Sequence, residues 1–261
     1  MAITFDAFTA DGTPTTGSDS FTHAGGAGPR TALVFIVGTS PTDEITGVTY
    51  ATVAMTQLAS SPKISSAGGE PGVIHAFILN GITSGSQAVA FTTSASTVTH
   101  QGYCITLNAA ADVEVVDEDV TVDSISLADP SVTLSLGGRS CFCALALMSG
   151  QAAVASITPL TSWTARHEVT TGSECAACYT YDTISTADVT AGWTQTADDA
   201  LMYAVALGEV VAAGGQPTVK RHGGVPGMNR LRMGPGFGGG AWGRTRSGVT
   251  IPRWLEGQRA A

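Results

Sequence analysis

The chain has 261 residues, 13% of them charged and 43% hydrophobic, with a formal net charge of −9. A charged share about half the usual 25% or so, offset by Thr, Ser, Ala, Val and Gly, argues against solvated helices rich in Lys, Glu and Arg. It favours strands whose outer faces are polar but uncharged. The length allows one or two domains with a substantial core.

In chain order, Met1-Ala-Ile-Thr-Phe-Asp has no basic region leading into an apolar stretch, so synthesis in the cytoplasm without export is expected. No apolar run approaches the roughly 20 residues of a spanning helix. Residues 31–38 form a continuous apolar run, short enough for a buried strand. Strand text follows at 47–50, 53–58, 73–79, 87–93 and 102–107, and after an acidic stretch at 131–136, 141–148, 162–169, 175–181, 189–194 and 201–207. Turn-rich breaks recur at Gly25-Gly26, Gly68-Gly69, Ser84-Gly85, Gly137-Gly138 and Thr171-Gly172. Many short strands with regular turns predict an all-β fold, an antiparallel β-sandwich of jelly-roll type over residues 1–210.

A weak internal echo runs through that body. Arg30 opens the run 31–37, and strands 73–79 and 87–93 precede 102–107; Arg139 opens 141–148, and strands 175–181 and 189–194 precede 201–207. Ile82-Thr-Ser-Gly-Ser and Ile184-Ser-Thr-Ala-Asp link the corresponding pairs. Duplication into two small sandwiches and two halves of one large jelly roll both fit. One domain is preferred, because the acidic connector 111–130 lacks Pro/Gly-rich linker character and itself contains strand text.

The composition changes after Val211. From Gly215 onward there are eight basic residues against one acid, a net of +7, while residues 1–214 hold four basic residues against 20 acids, a net of −16. Twelve of the last 47 residues are glycine, and four prolines punctuate them. Such a segment cannot bury enough of its own surface to fold alone, yet its isolated apolar residues are too many for an inert linker. Residues 211–261 are read as an extended arm that orders against a partner. Its expected contact residues are Lys220, Arg221, Met228, Arg230, Arg232, Phe237, Trp242, Arg244, Arg246, Arg253 and Trp254. Nucleic-acid binding, docking on an acidic protein surface and a solubilising tail are the three readings of the arm. Its isolated aromatics and Pro/Gly texture suit a protein groove better than a DNA groove.

No constellation for catalysis stands out. The acids Glu114, Asp117, Glu118, Asp119 and Asp123 lack the spacing and turn glycine of a calcium loop, and a solvated strand face is the expected reading. Asp198-Asp199 reads as a hairpin turn. The five histidines show no metal-ligand spacing. Cys175 and Cys178 would point to opposite faces of a strand. With Cys104, Cys141 and Cys143 they read as buried small hydrophobes rather than a disulfide, zinc or redox set. No catalytic residue, cofactor or metal is assigned.

The text 30–38, then Val48-Thr-Tyr-Ala-Thr-Val-Ala-Met-Thr, Gly85-Ser-Gln-Ala-Val-Ala-Phe, Val189-Thr-Ala-Gly-Trp-Thr and 198–207, resembles a bacterial and phage β-sandwich family over about residues 19–210. Ala51-Thr52 stands where that family often has Gly-Gly. The arm, from Val219-Lys-Arg-His through Arg230-Leu-Arg-Met to Trp242 and Trp254, is similar to the C-terminal tails of tailed-phage virion proteins. The resemblance implies a non-enzymatic structural protein of the bacteriophage virion, as capsid decoration or a tail-fibre component. Its partners would be other virion proteins and copies of itself, as a homo-oligomer with a trimer expected, and not nucleic acid or membrane. The rival reading is a carbohydrate-binding module or adhesin, or a glycosidase, on the same sandwich; it requires exposed aromatic platforms, with Trp163 and Trp193 the candidates.

Overall fold

The structure is a computed structural model. It describes residues 3–28, 30–39, 42–65, 72–94, 97–171 and 174–211, and for 121–126 the backbone only. The arm, apart from Val211, lies outside the described residues.

The described body is all-β, and every strand pairing is antiparallel. Its first half contains β1 (Thr4–Ala10), β2 (Thr15–Thr16), β3 (Asp19–Gly25), β4 (Thr31–Gly38), β5 (Ile45–Tyr50), β6 (Val53–Ala54), β7 (Thr56–Gln57), β8 (Lys63–Ser65), β9 (Gly72–Asn80), β10 (Gly85–Thr93) and β11 (Thr99–Asn108). Its second half contains β12 (Val113–Leu127), β13 (Ser131–Leu134), β14 (Cys141–Ser149), β15 (Ile157–Pro159), β16 (Thr164–Thr171), β17 (Glu174–Ser185), β18 (Val189–Gln195) and β19 (Asp198–Glu209).

The strands form four sheets. The first inner sheet runs β1-β11-β4-β9-β7, with β2 on β11 and β8 on β9, and the first outer sheet runs β3-β10-β5-β6. The second inner sheet runs β12-β19-β14-β17-β16 and the second outer sheet β13-β18-β15. The two halves match strand for strand: β1, β11, β4 and β9 stand in the order of β12, β19, β14 and β17, and β3, β10 and β5 in that of β13, β18 and β15. In each half the chain winds back and forth between its two sheets in the jelly-roll manner. The antiparallel sandwich of jelly-roll type expected over 1–210 is present, its strand order repeated in two halves of one compact unit, and the echo in the sequence marks the repeat.

The inner sheets pack against each other, which explains the continuous apolar runs. An antiparallel strand with one wet face alternates apolar and polar residues; β4 and β14 are buried along their whole lengths. Leu33, Phe35 and Val37 of β4 face the central core with Phe142, Ala144 and Ala146 of β14 and Tyr203 and Val205 of β19. Ala32, Val34 and Ile36 face the first outer sheet with Val48, Val89 and Phe91. Cys143, Leu145 and Leu147 face the second with Trp193 and Val189. Phe35 meets Tyr203 across the centre with ring centroids 6.2 Å apart.

Two polar ties flank this contact. Asn80 donates to the Val113 carbonyl and accepts from the Val113 amide, both at 2.9 Å. Glu118 accepts from the Ser60 amide and hydroxyl at 2.9 and 3.0 Å, and from the Tyr203 hydroxyl. No Pro/Gly linker separates the halves because β12 follows β11 closely and pairs directly with β19.

Two further readings are corrected. The stretch 53–58 is not one strand: β6 belongs to the outer sheet and β7 to the inner one, so the chain changes layers at Met55, which is buried between them. Asp198 and Asp199 open β19, and the turn lies just before them. At Ala51-Thr52 the tight turn survives: Tyr50 pairs with Val53 around two residues with φ of 51° and 71°. That is the left-handed geometry of a two-residue hairpin, normally supplied by Asn or Gly.

Candidate functional site

The proposed partner-binding residues, Lys220, Arg221, Met228, Arg230, Arg232, Phe237, Trp242, Arg244, Arg246, Arg253 and Trp254, lie outside the described residues. The structure does describe the point from which that segment departs. β19 ends at Glu209, whose carbonyl accepts from Arg139 Nη2 at 2.7 Å and whose carboxylate accepts from the Ala110 amide at 2.6 Å. Val210 then donates to the Asp112 carbonyl at 2.8 Å. Arg139 also pairs with Glu114 at 2.7 Å. The chain is therefore held up to Val210, and Val210 and Val211 stand exposed beside a hollow lined by Ile3, Arg139, Ser140 and Glu209.

Charge on the body is placed unevenly. The exposed faces of the outer sheets carry Ser20, Thr22, Ala24, Ser86, Ala88 and Thr92 on one side and Ser131, Thr133, Thr158, Thr190 and Thr194 on the other. None is charged. Acids instead line the edge strand β12, with others in turns and in β1, β3, β16, β17 and β19. Those of β12 do not converge: Glu114 is held by Arg139, Asp117 accepts from the Ser135 amide at 2.6 Å, Glu118 turns to Ser60 and Tyr203, and Asp119 caps the Val120 amide at 2.7 Å. The Asp123 side chain lies outside the described residues. Among the described residues no three His, Cys, Asp or Glu side chains gather as metal ligands.

Both tryptophans of the body are core residues. Trp193 is fully buried and donates to Gln195 Oε1 at 2.7 Å; Trp163 donates to the Thr190 carbonyl at 2.9 Å and packs on Tyr181. Neither offers a face to a sugar. The exposed large hydrophobics of the described residues are Val53, Ile64, Val210 and Val211, none aromatic. A groove of about 370 Å³ crosses the edge of the first outer sheet, lined by Thr46, Thr49, Met55, Phe77 and Thr92. It holds no ionisable side chain.

The cysteines are free and buried. Cys175 faces the second outer core and Cys178 the central one, while Cys141 and Cys143 share a face. Burial pushes all five thiols up, Cys143 to about 12, so none is a ready thiolate.

Sequence reasoning missed two polar groupings at one end of the first jelly roll. Asp11 is nearly buried; burial and the neighbouring Asp19 charge push its carboxyl up to about 6. His75 and His100, on β9 and β11, are fully buried beside Phe77 and Phe91. Elsewhere in that half, His23 is buried too, but bonded to Thr9 and Thr106 at 2.9 and 3.1 Å. Asp11 and Asp19 lie eight positions apart across the turn from β1 to β3, whereas His75 and His100 are 25 apart and meet only through the wind of the jelly roll. The alternation Phe21, His23 within β3 and the place of His75 inside the apolar run 73–79 were the readable signs that a histidine faced inward.

No family model, curated protein or solved structure matches the chain.

Proposed function

We propose that the protein is a structural component of a bacteriophage virion, a capsid-decoration or tail-fibre-associated protein that is pinned in place by its basic C-terminal arm. The observation that carries this reading is the division of charge: −16 over residues 1–214 against +7 over the last 47. An arm of that charge is repelled by few surfaces of its own kind and attracted to the acidic body of a neighbouring copy, or to an acidic shell protein. Three further features support it. The arm departs from a hydrogen-bonded root at Glu209 and Val210. The uncharged Ser/Thr faces of the outer sheets suit a surface that stays inert at high copy number. The resemblance of the sequence to phage sandwich and tail proteins points the same way. On this reading the protein performs no reaction and acts as a homo-oligomer, with other virion proteins as partners.

The carbohydrate-binding reading is not favoured, because Trp163 and Trp193, its stacking candidates, are both buried.

The test is a chain ending at Val211, compared with the full chain for co-purification with virus particles and for thermal unfolding. The proposal expects the shortened chain to melt like the full one and to be lost from particles. Retention of the shortened chain on particles at high salt would overturn it.

A further inference from the structure

We propose that His75 and His100 form a proton-operated latch between the two sheets of the first jelly roll, released by acid. β9 and β11 flank β4, and register places His75 opposite Ile36 and His100 opposite Gly38, on the face that looks toward the first outer sheet. Both rings are fully buried, and all four ring nitrogens lack a hydrogen-bond partner. The packing around them is tight: a side chain at Gly38 would begin 2.8 Å from His100 Cδ2. His75 stacks on Phe77 at 6.3 Å and His100 tilts against Phe91 at 5.9 Å. Phe91 belongs to the outer sheet, so the rings fill the seam between the sheets.

A neutral imidazole tolerates such a place; an imidazolium does not. It would carry two N–H donors into a buried site where neither ring nitrogen makes a well-formed hydrogen bond. The charged groups facing the pair come from the segment before β5. Asp43, before β5, lies 3.7 Å from His75 Nδ1, an ion-pair distance too long for a hydrogen bond. Glu44 and the Val98 carbonyl favour a charged His100, and their pull is outweighed by burial, which holds its pKa below the ordinary value. Lys63 of β8 is paired with Ile74, whose side chain enters the central core, so it stands on the opposite face of the inner sheet from the two histidines. Asp11, after β1, and Asp19, the first residue of β3, lie toward the edge where Thr15 pairs with His100, and neither is among the charges acting on the two rings. β4 contributes Ile36 and Gly38, neither of them titratable.

The sign follows. Closed, the two imidazoles are neutral; opened to water, each takes a proton below its ordinary pKa of about 6.5. Opening is therefore coupled to uptake of two protons, and acid drives it by up to roughly a hundredfold per pH unit below that value. Asp11 acts in the opposite sense, since it is protonated more readily in the closed state, and it offsets one proton at most between about pH 6 and 4. The second jelly roll has no buried histidine on its matching strands β14, β17 and β19. Release is accordingly confined to the seam beneath β3, β5 and β10.

The experiment follows hydrogen-exchange protection of the full chain from pH 7 to 4, corrected for intrinsic exchange. The latch predicts that residues 45–50 and 85–93 lose protection between pH 6 and 4.5, while 189–195 keep theirs. His75→Phe with His100→Gln should move the midpoint down by about one pH unit or abolish the loss. Should that variant not fold, NMR of the ring nitrogens in the unmodified chain decides. Imidazoles that stay neutral until the outer strands open support the latch. Imidazoles that titrate near pH 6.5 with protection intact, or both outer sheets losing protection together, would overturn it.

Discussion

The two jelly rolls share a strand order and differ in what they bury. The first holds His23, His75 and His100 and a nearly buried Asp11. The second holds Cys141, Cys143, Cys175 and both body tryptophans. Its chief buried polar cluster is fully bonded: Gln195 accepts from Trp193 and Ser149 and donates to the Leu127 and Asp198 carbonyls. The same winding thus buries histidines in one copy and none in the other, which buries the carboxylates Glu174 and Asp199 instead. What fixes the wind is the placement of turns and two-sided burial of inner strands; core identity then sets the response to conditions.

The largest expected effect tests whether the halves are energetically one. Phe35 lies in the core they share, and Phe35→Ala should cost about 3–5 kcal/mol. Denaturant melts followed by probes in both halves should shift together; a shift in the first half alone would show the central contact to be dispensable. Gly192→Ala sharpens the contrast from the other side. An added Cβ would sit 2.2 Å from the Pro130 carbonyl oxygen, so the second outer sheet must give way, at about 3 kcal/mol or more. Hydrogen exchange should rise first in β13 and β18.

Acid comes next. Burial pushes His75 down to about 3, and His23 and His100 are lowered as well. Each depressed histidine stabilises the fold fully above about pH 6.5, and that stability is lost as pH falls toward the folded-state value. For His75 alone the loss is about 2 kcal/mol by pH 5, measurable as a falling urea midpoint of the first half. A flat midpoint between pH 7 and 5 would contradict the assignment. The smallest effect concerns the strained hairpin. Thr52 has φ of 71°, which costs a side-chain-bearing residue about 1–2 kcal/mol. Thr52→Gly should raise stability by about 1 kcal/mol after the entropy of glycine is deducted, seen as a higher melting temperature.

Much of this fold was legible. The runs at 31–38, 141–148 and 201–207 became inner strands, and the linkers after Ile82 and Ile184 marked equivalent places. That the jelly-roll strand order repeats within the one body had its sign in the sequence. β4, β14 and β19 have no wet face, and an antiparallel sandwich of two layers rarely offers so many such strands. That excess called for further layers. β1 and β3 were missed because their inward residues, Phe8 or Phe21 and His23, are spaced by Thr and Ala. The pairing of His75 with His100 had no sequence sign, since the two approach only through the wind of the jelly roll.

The charge division between body and arm remains the centre of the functional account. Its most direct test is a cryo-EM map of particles from the cell that encodes the chain, at a resolution that traces side chains. The account predicts density for residues 215–261 running over an acidic surface of a neighbouring chain, with Trp242 and Trp254 seated in it. An arm without density in the assembled particle, or one folded onto its own body, would contradict it.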